Sequence, residues 1–161
     1  MNCLVSVADM QIEIDDNAPL DETRTLMREY AATLHVSLEI PDFEVELAGL
    51  PGKYAPPHGR LLVARSGGRP AGCVALRPLG REMGEVKRLY VREGFRGRGL
   101  GRALVEAVIA AARGAGYTHL RLDTHQTMDP ARKLYESFGF REIDAYWDHP
   151  VPDVVFYELA L

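Results

Sequence analysis

The ten residues from Phe95 to Leu104, FRGRGLGRAL, set three glycines at alternate positions among arginines and run straight into an apolar stretch. Glycine forgoes side-chain packing and loses more conformational freedom on folding than other residues. Three of them at the mouth of a predicted helix point to backbone that must be approached closely. The first N–H groups of a helix are unpaired and carry partial positive charge. Glycines let an anion reach those groups, and arginines add charge-assisted bonds. The turn therefore has the make-up of an anion cradle, although a tight turn closing on a neighbouring strand uses the same residues. Two nucleotide loops fail on pattern. After Gly97-x-Gly99 the third position of the dinucleotide fingerprint is Arg102, and no Gly-Lys-Ser/Thr follows as a P-loop requires.

Charge agrees with a compact anion. The chain has a net charge of −4, yet between Lys87 and Arg102 six basic residues (Lys87, Arg88, Arg92, Arg96, Arg98, Arg102) face one acid, Glu93. The remainder carries 13 basic and 22 acidic residues. A nucleic-acid binder needs a broader basic footprint, so no nucleic-acid partner is expected. No apolar run approaches the roughly 18 residues of a membrane span, and the opening MNCLVSVADMQIEIDD does not read as a signal peptide, so no membrane partner is expected either. Cys3 and Cys73 lie far apart and suit a reducing cytoplasm. Neither cysteine sits in a motif with a histidine and an acid, which leaves a covalent thiol route without support. His35, His58, His119, His125 and His149 lack metal-ligand spacing, so no metal is expected.

The elements that must position these groups follow from periodicity. The 161 residues, 47% hydrophobic and 26% charged, suit one domain spanning 1–161. CLVSVADMQIEI alternates as a first strand; PLDETRTLMREYAATL, with Asp21 as its cap, and PDFEVELAGLPG read as two helices. Two apolar runs flanking SGGRP predict a hairpin, and GEVKRLYV a third strand of that meander. LGRALVEAVIAAARGAG repeats apolar residues at three- and four-residue steps, an amphipathic helix. YTHLRLDT alternates Leu120 and Leu122 inward with Arg121 and Asp123 outward. DPARKLYESFGF is a short helix with Asp129 at its N-cap, and FREIDAYW and DVVFYELAL are closing strands joined by DHPVP. The order β-α-α-β-β-β-α-β-α-β-β makes an α/β (α+β) fold, a mixed sheet of about seven strands with four helices, and not a doubly wound one.

LYVREGFRGRGLGRAL resembles the acetyl-coenzyme A signature of the GCN5-related N-acetyltransferases (GNAT), a strand, Arg/Gln-x-x-Gly-x-Gly/Ala, then a helix. ARKLYESFGF resembles the second signature of that family, and the element order fits nearly the whole chain. YAPP, KRLYV and DHPVP give a closer likeness to small bacterial members, with His149 where Asn is usual. The resemblance implies an acetyl-CoA-dependent N-acetyltransferase acting on a primary amine by direct attack in a ternary complex. It implies that Arg96, Gly97, Arg98, Gly99, Leu100, Gly101 and Arg102 bind the pyrophosphate. Two central strands would splay so that Leu89, Tyr90 and Val91 meet the pantetheine arm. The N–H of Val91 would face the thioester oxygen, and Tyr135 would give a proton to the departing thiolate. The family often has Asn where Met128 stands, so that polar contact to the cofactor would be missing or made by Asp129.

An amine must also lose a proton, and Glu85, on the strand leading to Val91, is the candidate base; pairing with a basic neighbour is the competing reading. Tyr135 taken without the family is a core aromatic. The acceptor pocket implied by the family draws on Asp42, Glu44, Tyr146, Trp147 and His149, where carboxylates suit a cationic amine and Trp147 could stack on it. The acceptor is a small molecule or a peptide. Rival functions are a non-catalytic acyl-CoA-binding or sensor module, a protein N-terminal or lysine acetyltransferase, and an unrelated nucleotide-phosphate binder. Small folds of this kind often pair, so a homodimer is possible.

Overall fold

A computed structural model of the chain describes residues 11–34 and 42–161. Seven strands, β1 (Ile12–Asp15), β2 (Arg60–Ser66), β3 (Arg69–Pro78), β4 (Met83–Val91), β5 (His119–His125), β6 (Arg141–Ile143) and β7 (Val154–Ala160), form one sheet in the order β1-β2-β3-β4-β5-β7-β6. Four helices accompany it: α1 (Leu20–Thr33), α2 (Phe43–Ala48), α3 (Leu100–Gly114) and α4 (Asp129–Ser137). This is the mixed α/β architecture read from the sequence. The N-terminal part of the expected first strand, Cys3 to Met10, lies outside the described residues.

The long helix forms because its apolar residues share one face. Leu100, Leu104, Val105, Val108, Ile109 and Ala112 are all buried. With Leu62, Val74, Leu76, Val86, Leu120 and Leu122 of the sheet they make the larger core. Each fully buried Leu, Val or Ile contributes about 1.5–3 kcal/mol. A smaller core on the opposite face joins Leu26 and Met27 of α1 and Leu47 of α2 to Val63, Cys73 and Ala75. The sheet is thus covered on both faces.

Among the described strands only β4 and β5 pair in parallel, because α3 carries the chain back between them. Their pairing covers Met83–His119, Gly84–Leu120 and Glu85–Arg121, and then stops. β5 continues on β7 along its whole length, to His125–Val154. β4 continues on β3, but with an irregularity between Cys73 and Ala75 that sets one extra residue into β4. Arg88 lies there in the left-handed region at φ 60. A bulge bends its strand and strengthens the local twist, and the two central strands part.

The bulge is held from the side. The Arg88 guanidinium bonds both Glu46 oxygens on α2, at 3.0 and 3.2 Å, and lies 5.5 Å over the Phe43 ring. The Tyr54 hydroxyl donates to Glu46 Oε1 at 2.7 Å. A bidentate charged pair with this geometry fixes orientation as well as adding energy.

Three expected details differ. Pro19, not Asp21, precedes α1, and Asp21 inside the first turn accepts from Arg24 at 2.8 Å. Met128 holds the N-cap position of α4, with Asp129 and Pro130 inside the first turn. The strand expected over Phe140–Trp147 is only Arg141–Ile143, because the chain leaves the sheet to bring Tyr146 and Trp147 across β5.

Candidate functional site

Where β4 and β5 part, the glycine turn opens onto a cavity of about 670 Å³. Leu89 and Val91 of β4, Arg96 and Gly99 of the turn, and Met128 and Leu134 at α4 are among its walls. That is the size of an ordinary small-molecule site. Gly97 and Gly99 sit at φ 77 and 86, where a side chain would be strained, and so the chain enters α3 with its amides turned outward. No side chain caps α3. Its first-turn N–H groups are left for a ligand or water.

The basic island sorts itself out in the fold. Lys87, Arg88 and Arg92 are tied to Asp123, Glu46 and Glu29. Arg102 leans on Phe138 and bonds the Ser137 hydroxyl at 3.3 Å. Arg96 bonds the Val91 carbonyl through Nε at 3.0 Å, and Arg98 lies 5.7 Å from the Phe95 ring. Among the described residues neither Arg96 nor Arg98 has a carboxylate within 4.0 Å. The unbalanced positive charge therefore sits at the turn, next to the helix end.

Strand alternation decides where Val91 points. The Arg92 N–H bonds the Ala71 carbonyl at 2.8 Å. Its neighbour Val91 must then turn its N–H the other way, into the gap that β5 has left. Opposite stands Gly72, paired with Val91; a Cβ there would come within 2.4 Å of the Tyr90 carbonyl oxygen. Gly72→Ala is expected to push the end of β4 out of place, costing about 1–3 kcal/mol. Urea unfolding in parallel with coenzyme A titration should show stability and cofactor affinity lost together.

A second, smaller cavity of about 50 Å³ continues the first between the splayed strands. Tyr30, Leu89, Met128 and Ala131 wall both. Tyr135, Lys87, Asp123 and Thr124 line only the smaller one. The Tyr135 ring packs edge-on against Phe140, 5.6 Å between centroids, and near Tyr157. Its hydroxyl makes no hydrogen bond among the described residues. Burial, with Tyr30 and Asp123 nearby, pushes its ionisation well above the usual phenol range, so it keeps its proton.

Glu85 is 1% exposed. Its Oε1 meets Arg77 at 2.7 Å and Lys87 at 3.5 Å, and its Oε2 accepts from the Tyr146 hydroxyl at 2.7 Å. The carboxylate is closed in by partners. Burial first, and then Glu85, drives the Tyr146 hydroxyl far above its ordinary range. Tyr146, Trp147 and His149 come together on the face of β5 away from α3. Asp42 instead lines a separate cavity of about 410 Å³ beside Glu46 and Lys53, and Glu44 is on the surface, 3.4 Å from Arg28. Asp129 is exposed at the start of α4, 3.9 Å from Arg132.

Three residues that sequence reasoning did not single out belong to this site. Asp123 accepts at Oδ2 from Lys87 Nζ and Trp147 Nε1, both at 3.1 Å. Its Oδ1 lies 3.8 Å from His149 Nε2. The His149 Nδ1 accepts from the Val151 N–H at 3.1 Å, so a neutral ring carries its proton on Nε2, toward Asp123. Burial outweighs Asp123 and lowers the pKa of His149, which keeps it neutral near pH 7. Tyr30 on α1 roofs both cavities and packs edge-on against Tyr90. The outward placement of Asp123 on an alternating strand was the available signal for that residue; Lys87 stood out only as part of the basic island, and Tyr30 offered none.

Among the described residues, no group of three His, Cys, Asp or Glu gathers as a metal site, and no helix is long and apolar enough to cross a membrane. The acetyltransferase (GNAT) family model matches residues 23–140. An uncharacterized N-acetyltransferase of Schizosaccharomyces pombe is 42% identical over 144 residues, 88% of each chain. Among solved structures, an acetyltransferase from Streptococcus agalactiae superposes with a TM-score of 0.77 at 23% identity, covering 93% of this chain and 98% of that one. The PaiA N-acetyltransferase of Thermoplasma acidophilum, solved in complex with coenzyme A, gives 0.74 at 17%, covering 94% and 99%.

Proposed function

The chain belongs to the GNAT acetyltransferase family and is an N-acetyltransferase; from that premise we propose that it moves an acetyl group from acetyl-coenzyme A to a primary amine by direct attack with both substrates bound. The observation that carries this reading is the pair of cavities in series, meeting where β4 and β5 part, with an uncapped helix end and unpaired arginines at one end and the Tyr135 hydroxyl at the other. The larger cavity fits the cofactor: its turn offers main-chain donors, Arg96 and Arg98 offer charge, and its volume suits a pantetheine arm. Bound there, acetyl-coenzyme A would supply an activated thioester and a thiol leaving group.

The chain's own residues then have separable tasks. Gly97 to Arg102 present amides to a diphosphate, with Arg96 and Arg98 beside them. The main chain of Leu89, Tyr90 and Val91 offers an unpaired strand edge to an extended ligand, as in strand addition. The Val91 N–H donates to the oxygen on which negative charge develops. The Tyr135 hydroxyl donates to the leaving sulfur. The amine nitrogen forms its bond to carbon as the carbon–sulfur bond breaks. One proton leaves the nitrogen for water, and one arrives on the thiolate. A relay through the thiol of Cys73 has nothing to recommend it: burial pushes that thiol up to about 12, and its Sγ donates to the Arg88 carbonyl.

Coenzyme A at about 100 times its Kd is expected to stabilise the fold by about 2.7 kcal/mol, a rise in Tm of about 5–11 °C for a chain of this size. Thermal denaturation measures this, and an amine panel assayed for thiol release from acetyl-coenzyme A completes the test. An unchanged Tm overturns the cofactor assignment. A raised Tm with no thiol release from any amine overturns catalysis and leaves an acyl-CoA-binding module.

A further inference from the structure

The small cavity between β4 and β5 adjoins the larger one through Tyr30, Leu89, Met128 and Ala131, and its own walls are chemically uneven. Asp123 faces it with one oxygen fully used, by Lys87 and Trp147, and the other, Oδ1, with no hydrogen bond within 3.5 Å among the described residues. Glu85 cannot serve in its place, because Arg77, Lys87 and Tyr146 occupy both its oxygens. Asp123 thus keeps one oxygen, Oδ1, free to accept, and its side chain lines the same small cavity as Tyr135. The volume of about 50 Å³ holds about two or three water-sized groups. A methylene and an ammonium fill it; a carbon that also carries a carboxamide or a side chain does not.

Resting on the transfer reading above, we propose that this cavity takes the –CH₂–NH₃⁺ end of an unbranched primary amine, its ammonium bonded to Asp123 Oδ1, so that the acceptors are ω-amines and not branched α-amines. Trp147 and His149 act through Asp123. The indole N–H holds Oδ2 at 3.1 Å, and the neutral imidazole keeps its Nε2 proton turned toward Oδ1 without adding a full charge. Lys87 serves the opposite end of the same event. Its ammonium, close to the incoming one, favours loss of a proton from the acceptor, which must be neutral to attack. One ammonium proton goes to water and the neutral nitrogen bonds the acyl carbon; as the carbon–sulfur bond breaks, a second proton leaves the nitrogen for water and the thiolate takes one up.

Two sources supply such an end, a lysine side chain and a free alkyl diamine, and the test separates them. Thiol release from acetyl-coenzyme A is measured with N-acetyllysine amide, 1,4-diaminobutane and alaninamide. At least one of the first two is expected to exceed alaninamide by about 100-fold in kcat/KM, the order lost when a group must be overpacked into a filled site. Equal or better use of alaninamide overturns the proposal. Asp123→Asn is expected to raise KM for the preferred ω-amine about 10- to 100-fold, as for a lost hydrogen bond between charged groups. The rise in Tm with coenzyme A should stay as in the wild type, which separates loss of amine binding from damage to the cofactor site. Calorimetry of the same amine into the coenzyme A complex reads binding without turnover. Binding to wild type and loss in D123N supports the proposal even where no thiol is released, and equal binding to both proteins overturns it.

Discussion

Replacing Tyr135 by Phe should lower kcat by about 10- to 200-fold while leaving the Kd for coenzyme A within about twofold. The magnitude follows from what this hydroxyl can do. Burial holds its pKa far above the value of about 8.5 for a free thiol. Outright transfer of its proton to the thiolate is therefore uphill, and the larger gains of general-acid catalysis, about 10²- to 10⁴-fold, are mostly out of reach. A hydrogen bond to a developing thiolate is within reach, and bonds to charged groups are worth about 1.5–3 kcal/mol. At 1.36 kcal/mol per factor of ten, that gives the range stated. The variant should fold normally. Among the described residues the hydroxyl has no hydrogen-bond partner to orphan, and the Phe ring keeps the contacts with Phe140 and Tyr157. Steady-state turnover and a cofactor titration check both halves. Turnover within twofold of wild type would show that the leaving sulfur needs no donor here.

The sequence made the architecture legible because burial is one-sided. Leu104, Val105 and Val108 recur on one face of α3, and Leu120 and Leu122 on one face of β5, so period alone reports helix and strand. The glycine turn was legible too, since few other needs put Gly97 and Gly99 in a left-handed conformation before a helix. The surroundings of Asp123 were legible only in part. The family likeness assigns Tyr146, Trp147 and His149 to one pocket with Asp42 and Glu44; the first three gather around Asp123 and Glu85, and the two carboxylates lie elsewhere. Alternation told which face Asp123 occupies but not what crosses that face to meet it. The Arg88–Glu46 contact spans 42 residues, and no local pattern encodes a partner so distant. Caps failed by one or two residues for a simpler reason. Asp21 and Asp129 favour the first turn of a helix almost as much as the position before it.

Glu85 gives the sharpest contest between a catalytic and a structural carboxylate. A proton acceptor needs an oxygen that the amine can reach, and this one has none: Arg77 and Lys87 hold Oε1, and the Tyr146 hydroxyl holds Oε2. The group is also almost wholly buried, so its charge is compensated by those partners and not by water. Glu85→Gln keeps the shape and removes only the charge. Its amide oxygen can still face Arg77, while its amide nitrogen donates to the Tyr146 oxygen. What is lost is the compensation of Arg77 and Lys87. Breaking a buried pair costs about 3–5 kcal/mol, and retained hydrogen bonds place this change near 3. The expected result is a Tm lower by about 6–12 °C. Below that temperature kcat should stay within a few-fold of wild type, with the pH–rate profile unchanged in shape. A general base would behave in the opposite way: a kcat about 10²- to 10⁴-fold lower, an altered acidic limb and a nearly unchanged Tm. Thermal denaturation and a pH–rate profile on the same preparation separate the two, because each role moves the measurement that the other leaves alone.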